Sequence, residues 1–246
     1  MDLNRSLNDW TVFAIIFIGI FLVLGIAELV RKIMMKPPEY TRKFVHIFVG
    51  LIVSICPLLF KSNVQLIALS SLFIIINGFL IKSNKIASMH VTTRKSYGTV
   101  YFPFSVLILS YFWWDKPISF ILAILVMTIS DPIAAIIGKK GQTVYMPWRD
   151  QKTRRGSMAM FGSTMIIIML GTDLLTRIYG AAFFIPFPIL IGVSIFTALS
   201  ATLAESVSYR GSDNLSIPII TFLSYEIFLI NYTHGTLTQL LLWSFL

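Results

Sequence analysis

The sequence is poor in the residues on which soluble enzymes and small secreted domains depend. It contains one cysteine, Cys56, so an internal disulfide framework and a CxxC zinc or redox motif are both excluded. Only 13% of its 246 residues are charged, about half the share in a typical soluble domain. It also lacks the Walker A, G-x-G-x-x-G and G-x-S-x-G motifs. These absences argue against a water-soluble globular enzyme.

Apolar and aromatic residues are abundant instead. Hydrophobic residues make up 56% of the chain, and the mean hydropathy is +0.81. A hydrocarbon core about 30 Å thick needs about 20 apolar residues per helix. The sequence therefore predicts an all-α polytopic membrane helix bundle in one domain, 1–246, with the short apolar tail 236–246 at the interface or against the bundle. About eight transmembrane helices are expected, at 11–30, 44–60, 64–81, 99–114, 117–138, 157–175, 183–207 and 215–232.

Basic residues alternate between successive connectors. One set of connectors carries 16 of the 20 Lys and Arg residues, and the other set carries four. By the positive-inside rule, the basic set is expected to be cytoplasmic and the N-terminus outside. The net charge of +9 is then explained by orientation and by contact with anionic lipid or phosphate, and no nucleic acid is expected. The candidate active-site face consists of the loops 31–43, 82–98, 139–156 and 208–214.

Asp131 is unusual because Pro132 follows it inside an apolar run. Proline has no N–H for the carbonyl of Thr128, and it disfavours helix at the preceding residue. The fifth span is therefore predicted to break here and to restart with Asp131 as N-cap and Pro132 as the first helical residue. Since a charge near lipid is costly, Asp131 either caps this helix or serves a ligand or metal.

Three further polar residues lie at the ends of the last two spans. Glu205 is a functional candidate, and the alternative is a salt bridge to Arg210 or a buried protonated acid. Asp213 and Asn214 precede the last apolar run, where they are either helix caps or metal ligands.

Basic residues and one histidine occur near other membrane entry points. Arg42 and His46 share a face at the start of the second span. A positive-inside flank also explains Arg42 and Lys43, and a satisfied core histidine also explains His46. The loop 139–157 contains six basic residues and ends at Gly156-Ser157, where a helix N-terminus would favour polyphosphate. A solvated basic loop is the alternative.

Together these residues comprise acids able to hold Mg²⁺, a basic loop and a buried histidine on one membrane face. Phosphoryl or nucleotidyl transfer requires this combination, because a divalent metal bridges phosphates, cations offset developing charge and a base serves the acceptor.

The order of these motifs resembles that of the phytol kinase/dolichol kinase family, which is related to phosphatidate cytidylyltransferase. The resemblance covers about residues 40 to 220. It is carried by Arg42-Lys43-x-x-His46, Asp131-x-x-Ala134-x-x-x-Gly138-Lys139, Lys152-Thr153-x-x-Gly156-Ser157-x-Ala159-Met160-Phe161, Glu205 and Arg210-Gly211-x-Asp213-Asn214 with Pro218.

The resemblance implies a Mg²⁺-dependent membrane kinase that transfers the γ-phosphoryl group of CTP, or another nucleoside triphosphate, to an isoprenoid alcohol such as phytol or a polyprenol. Its partners would be the nucleotide, a membrane-embedded lipid alcohol and the bilayer. The expected catalytic residues are Asp131, Glu205 and His46; the nucleotide- and phosphate-binding residues are Arg42, Lys43, Lys139, Lys152, Gly156 and Ser157; and the metal ligands are Asp131, Asp213 and Asn214.

Two other functions fit the same residues. A cytidylyltransferase that makes a CDP-activated lipid needs the same metal and cations, and a transporter or scramblase would use the intramembrane acids as a relay. The chain is expected to be an integral membrane protein with its active site on the cytoplasmic face. That membrane would be the plasma membrane in a bacterium or archaeon, and the endoplasmic reticulum or plastid in a eukaryote.

Overall fold

The computed structural model describes residues 8–34, 38–83, 97–141, 143–145, 151–180 and 185–243. Nearly all of this part of the chain is helical, which confirms the predicted all-α class. The elements are α1 Asp9–Met34, α2 Pro38–Ser54, α3 Cys56–Leu59, α4 Val64–Ser83, α5 Gly98–Phe112, α6 Pro117–Leu125, a π-helical turn Val126–Ser130, α7 Asp131–Gly138, β1 Thr143–Tyr145, β2 Gln151–Thr153, α8 Arg154–Ile178, α9 Phe187–Val207 and α10 Asp213–Trp243.

The number of membrane-spanning helices agrees with the expectation. In the described ranges, seven helical segments are long and apolar enough to cross a bilayer. The segment α5 is apolar but has 15 residues, about 22 Å at 1.5 Å per residue. The prediction of about eight helices is confirmed, with α5 shorter than the others.

The span formed by α6, the π-helical turn and α7 is the central element of the bundle. It is far more buried than the other spans, and it contacts α2, α8 and α10. Its residues divide between two apolar clusters. Phe120 and Ile124 pack with side chains of α1, α2, α4 and α5, whereas Leu122 and Met127 pack with those of α8 and α9. The central span is thereby fixed from both sides.

Hydrogen bonds link the connectors to one another at each of the two ends of the bundle. At one end, the Lys61 N–H donates to Asp9 Oδ2 over 2.9 Å, and Asn63 Nδ2 donates to the Ser110 carbonyl over 3.1 Å. At the other end, the Tyr97 N–H donates to the Arg210 carbonyl over 3.0 Å. This second end holds the start of α2, the end of α9 and the start of α10.

Two features differ from the sequence-based expectations. The strands β1 and β2 form a small antiparallel hairpin in the loop before α8, with Val144 opposite Lys152. The last helix is longer than the predicted span 215–232, because α10 continues unbroken from Asp213 to Trp243 and has 31 residues. An unbroken helix keeps its backbone hydrogen bonds satisfied, which favours continuation over a separate segment.

Candidate functional site

Asp131 stands at a change of helix type in the central span. The chain passes from the π-helical turn directly into α7, and Asp131 is itself helical at φ −62° and ψ −49°. The predicted break with Asp131 as N-cap is therefore wrong. A wide turn accommodates the missing N–H of Pro132 while the backbone stays helical. Pro132 is the second residue of α7 instead of the first.

Lys152 and Glu205 form a buried ion pair beside this turn. Lys152 Nζ lies 2.6 Å from Glu205 Oε1, and the two side chains are 17% and 9% exposed. The alternative partner of Glu205, Arg210, lies elsewhere, with its guanidinium carbon 4.9 Å from the centre of the Tyr209 ring. The second carboxylate oxygen, Glu205 Oε2, is buried without a hydrogen-bond partner among the described residues. This oxygen is therefore an unsatisfied acceptor within the described part of the chain.

The surroundings of Lys152 keep its side chain charged. Burial lowers the pKa of the ammonium group, but the charge and hydrogen bond of Glu205 raise it, as do the charges of Asp213 and Asp131. The net result is a Lys152 pKa above its ordinary value. Lys152 is thus a cation at neutral pH, and it interacts with three carboxyl groups.

Asp213 enters the site from the first turn of α10. The turn before it has positive φ at Arg210 (50°) and Gly211 (90°), which reverses the chain between α9 and α10. Asn214 donates to Asp213 Oδ1 from its backbone N–H at 2.9 Å and from Nδ2 at 3.0 Å. Asn214 Nδ2 also donates to the Gly211 carbonyl over 3.2 Å. Asn214 therefore fixes the Asp213 carboxyl group through one of its two oxygens.

These charged residues come from separate elements and act on one another. Asp213 and Glu205 repel a charge on the Asp131 carboxyl group, whereas Lys152 and Arg42 attract it. Three carboxyl groups and two basic side chains therefore interact in one electrostatic group. We call Arg42, Asp131, Lys152, Glu205 and Asp213 the charge cluster.

Arg42 and His46 reach the cluster from α2. The His46 ring interacts electrostatically with Arg42 and with Asp213, two members of the cluster. The His46 Nε2 atom lies 3.2 Å from the carbonyl oxygen of Met127 in the π-helical turn. Lys43 follows Arg42 in the same helix and is half-buried.

Glycines bring the end of α7 against the start of α8. A Cβ atom on Gly156 would lie 3.1 Å from the Ala134 carbonyl oxygen and 3.4 Å from Gly138 Cα. Thr153 is the N-cap of α8, and its Oγ1 accepts the Gly156 N–H over 3.1 Å. Gly156 therefore allows the two helices to pack closely, and its N–H is used in the hydrogen bond to the Thr153 cap.

The two remaining candidates for phosphate binding flank this junction. Lys139 follows Gly138 with an exposed side chain, and Ser157 follows Gly156 in a half-buried position. Because Gly138 and Gly156 meet, both candidates lie where α7 and α8 approach each other.

Magnesium suits the ligand types of the charge cluster. The described residues contain no group of three or more His, Cys, Asp or Glu side chains arranged for a metal ion. A Mg²⁺ ion that arrives with nucleotide phosphates, however, needs only one or two carboxylates and keeps several waters. Asp131 and Asp213 are two such carboxyl groups.

Sequence reasoning missed three supports of the site. The π-helical turn, the Met127 carbonyl that faces His46 and the Thr153 cap were not expected. The Thr153 cap is detectable in retrospect, because threonine three residues before the Gly156 N–H matches a common N-cap spacing. The contact between α2 and the π-helical turn depends on tertiary packing, which has no local sequence signal.

Comparison with known proteins identifies relatives of the chain. The phytol kinase of Synechocystis sp. is 29% identical over 199 residues, which cover 78% of this chain and 81% of that protein. The predicted relationship to phytol kinases is confirmed. The probable phytol kinase 1, chloroplastic, of Glycine max is 27% identical over 82% of this chain and 71% of its own length. The probable phytol kinase 2, chloroplastic, of the same plant is 23% identical over 88% and 75%. No family model and no solved structure matches the chain.

Proposed function

We propose that this protein is a membrane lipid-alcohol kinase that transfers the γ-phosphoryl group of CTP, or another nucleoside triphosphate, to an isoprenoid alcohol. The names of its relatives support a kinase that acts on a lipid alcohol. The observation that carries the proposal is the charge cluster, in which separate elements contribute three carboxylates and two cations to one end of a helix bundle. Phosphoryl transfer depends on such groups for positioning and electrostatic stabilisation.

Each member of the cluster has a role in this proposal. Asp131 and Asp213 hold Mg²⁺, which supplies positive charge to the phosphate oxygens when it is bound. Arg42 and Lys152 bind phosphate oxygens and offset the charge that develops on the leaving nucleotide. Lys152 performs this role while paired with Glu205, since an ammonium group has three donors.

The proposed reaction conserves atoms and charge through one proton transfer. The hydroxyl oxygen of the lipid bonds to the γ-phosphorus as the bond from that phosphorus to the β–γ bridging oxygen breaks. The nucleoside diphosphate leaves with the electron pair of the broken bond. The hydroxyl proton passes to a carboxylate, for which we propose Glu205 Oε2, because this buried oxygen has no hydrogen-bond partner in the described part of the chain.

The bundle suits an acceptor that stays in the bilayer. The cluster lies where α2 and α10 begin and α9 ends, so the alcohol head group would meet it at the membrane boundary. Phytol and polyprenols have one hydroxyl group on a long apolar chain, and the exposed helix surfaces are rich in large apolar side chains. We propose that the alcohol arrives from the membrane and the nucleotide from the cytoplasm.

The position of a labelled phosphate tests the reaction. Purified protein in nanodiscs is incubated with Mg²⁺, with CTP carrying label in either the α or the γ position, and with one acceptor at a time: phytol, a polyprenol or phosphatidate. Only the γ label should enter the lipid. Transfer of the α label would establish a cytidylyltransferase, and no labelled lipid with CTP, ATP, GTP or UTP would refute the kinase proposal.

Asp131→Asn provides the matched inactive variant for this assay. It should lower turnover by at least about a hundredfold, the scale for loss of a positioned charge. Asp173→Asn is the control, because Asp173 forms an exposed pair with Arg177 within one helix. It should keep wild-type turnover, and near-normal activity of Asp131→Asn would contradict the proposed role of Asp131.

A further inference from the structure

The π-helical turn leaves a backbone carbonyl without its usual donor. In a π-helix the carbonyl of residue i accepts from the N–H of residue i+5, and for Met127 that residue is Pro132. Proline has no N–H, so this bond cannot form. A carbonyl inside an apolar bundle needs another donor, because an unsatisfied buried polar group destabilises the folded state.

His46 occupies the place of that missing donor. Its Nε2 atom lies 3.2 Å from the Met127 oxygen, although the two residues are 81 positions apart in the chain. A carbonyl oxygen only accepts hydrogen bonds, so we assign the ring proton to Nε2. The bond therefore joins α2 to the central span at the turn that precedes Asp131.

A second contact one helical turn along α2 reinforces this connection. A Cβ atom on Gly50 would lie 2.1 Å from Thr128 Oγ1 and 2.6 Å from its Cγ2, so only glycine fits there. His46 and Gly50 are four residues apart and share one face of α2. This face thus contacts two consecutive residues of the π-helical turn.

We infer that His46 is a positioning residue that replaces the N–H absent from Pro132 and thereby fixes the orientation of Asp131 in the charge cluster. Asp131 follows Met127 by four residues, so a change in the wide turn moves its carboxyl group relative to Lys152. This assignment differs from the catalytic role that the sequence suggests for His46. Its activity test depends on the proposed kinase function, whereas its stability test does not.

Two substitutions of His46 separate positioning from proton transfer. The side-chain amide of His46→Gln can donate to the Met127 carbonyl but cannot act as a base, and His46→Ala can do neither. We expect kcat of His46→Gln within about threefold of wild type. We expect His46→Ala to lose about tenfold to a hundredfold in kcat, with KM for phytol changed less than about threefold, because a small misplacement of a reacting group lowers turnover.

Ser200→Ala is the control for these variants. It removes an exposed side-chain hydrogen bond to the Phe196 carbonyl within α9 and should keep wild-type turnover. Equal inactivity of His46→Gln and His46→Ala would overturn the inference. So would wild-type kcat in His46→Ala.

The hydrogen bond itself is tested without any substrate. Pro132→Ala restores a backbone N–H, so the Met127 carbonyl no longer depends on His46. His46→Ala should lower the melting temperature when it is introduced into the wild-type protein. It should lower the melting temperature much less when it is introduced into the Pro132→Ala variant. Equal shifts in both backgrounds would overturn the inference. If wild-type protein phosphorylates no lipid alcohol, the proposed function fails, and this stability cycle still decides the role of His46.

Discussion

The buried ion pair between Lys152 and Glu205 is the contact whose removal has the most calculable effect. At 2.6 Å and an effective dielectric constant of about 20, the attraction of two unit charges is about 6 kcal/mol. Desolvation offsets much of this, because both side chains are largely buried. Removal of one partner from such a pair costs about 3–5 kcal/mol. Lys152→Met and Glu205→Gln keep the approximate shape of each side chain and remove its charge.

The two variants should not be equivalent. After Lys152→Met, three carboxylates face Arg42 alone, whereas after Glu205→Gln, Lys152 still interacts with Asp131 and Asp213. Lys152→Met should therefore lower the free energy of unfolding more than Glu205→Gln. The double variant should be less destabilised than the sum of the two single variants, with a coupling energy of about 2 kcal/mol.

The assay is thermal unfolding in detergent at pH 7.5 without nucleotide, followed by tryptophan fluorescence. For a chain of this size, 1 kcal/mol shifts the melting temperature by about 2–4 °C, so Lys152→Met should lower it by about 6–20 °C. Because the pKa of Lys152 is higher in the folded protein, its stabilising effect is complete below about pH 10.5 and is lost as the pH rises through the folded value. Lys152 should therefore still stabilise the folded protein at pH 9. Additive single and double effects would refute the coupling.

Three further results are expected. Asp213→Asn should raise the Mg²⁺ concentration for half-maximal turnover by about tenfold or more, since a Mg²⁺ ion held with phosphates needs its one or two carboxylates; an unchanged requirement would remove Asp213 from the metal site. Gly156→Ala should cost about 1–3 kcal/mol of unfolding free energy, because its Cβ would lie 3.1 Å from a backbone oxygen of α7. Gly162→Ala in the same helix meets nothing within 4 Å and should cost nothing, and equal melting temperatures of the two variants would contradict this packing argument. In intact cells, a cysteine in place of Lys140 should escape an impermeant maleimide, and one in place of Lys61 should react; the reverse pattern would invert the proposed orientation.

The members of the charge cluster were predictable because lipid restricts where charge occurs. Asp131 and Glu205 lie at the ends of apolar stretches. A carboxylate there carries a large desolvation cost, so its presence indicates a functional role. The even alternation of basic connectors placed Lys152 and Asp213 on the same end of the bundle. The electrostatic interaction between Lys152 and Asp213 agrees with that expectation.

The local support of Asp131 was not predictable from the chain alone. Pro132 shows that one backbone hydrogen bond is missing, but a broken helix and a π-helical turn are both compatible with that loss. The wide turn depends on α2, where His46 supplies a donor and Gly50 allows close contact with Thr128. These two residues lie about eighty positions earlier in the chain, and no periodicity in the sequence indicates that they contact the turn.

The position of Asp213 also has a consequence for biogenesis. It belongs to the last long helix, whereas Arg42 belongs to the second, so the cluster includes residues separated by most of the chain. Helices emerge from the ribosome in order, and the earlier charges are in place before their final partner. A nascent chain therefore lacks part of the charge cluster until α10 is inserted, and under the proposed function it would gain the ability to consume nucleotide only at that point.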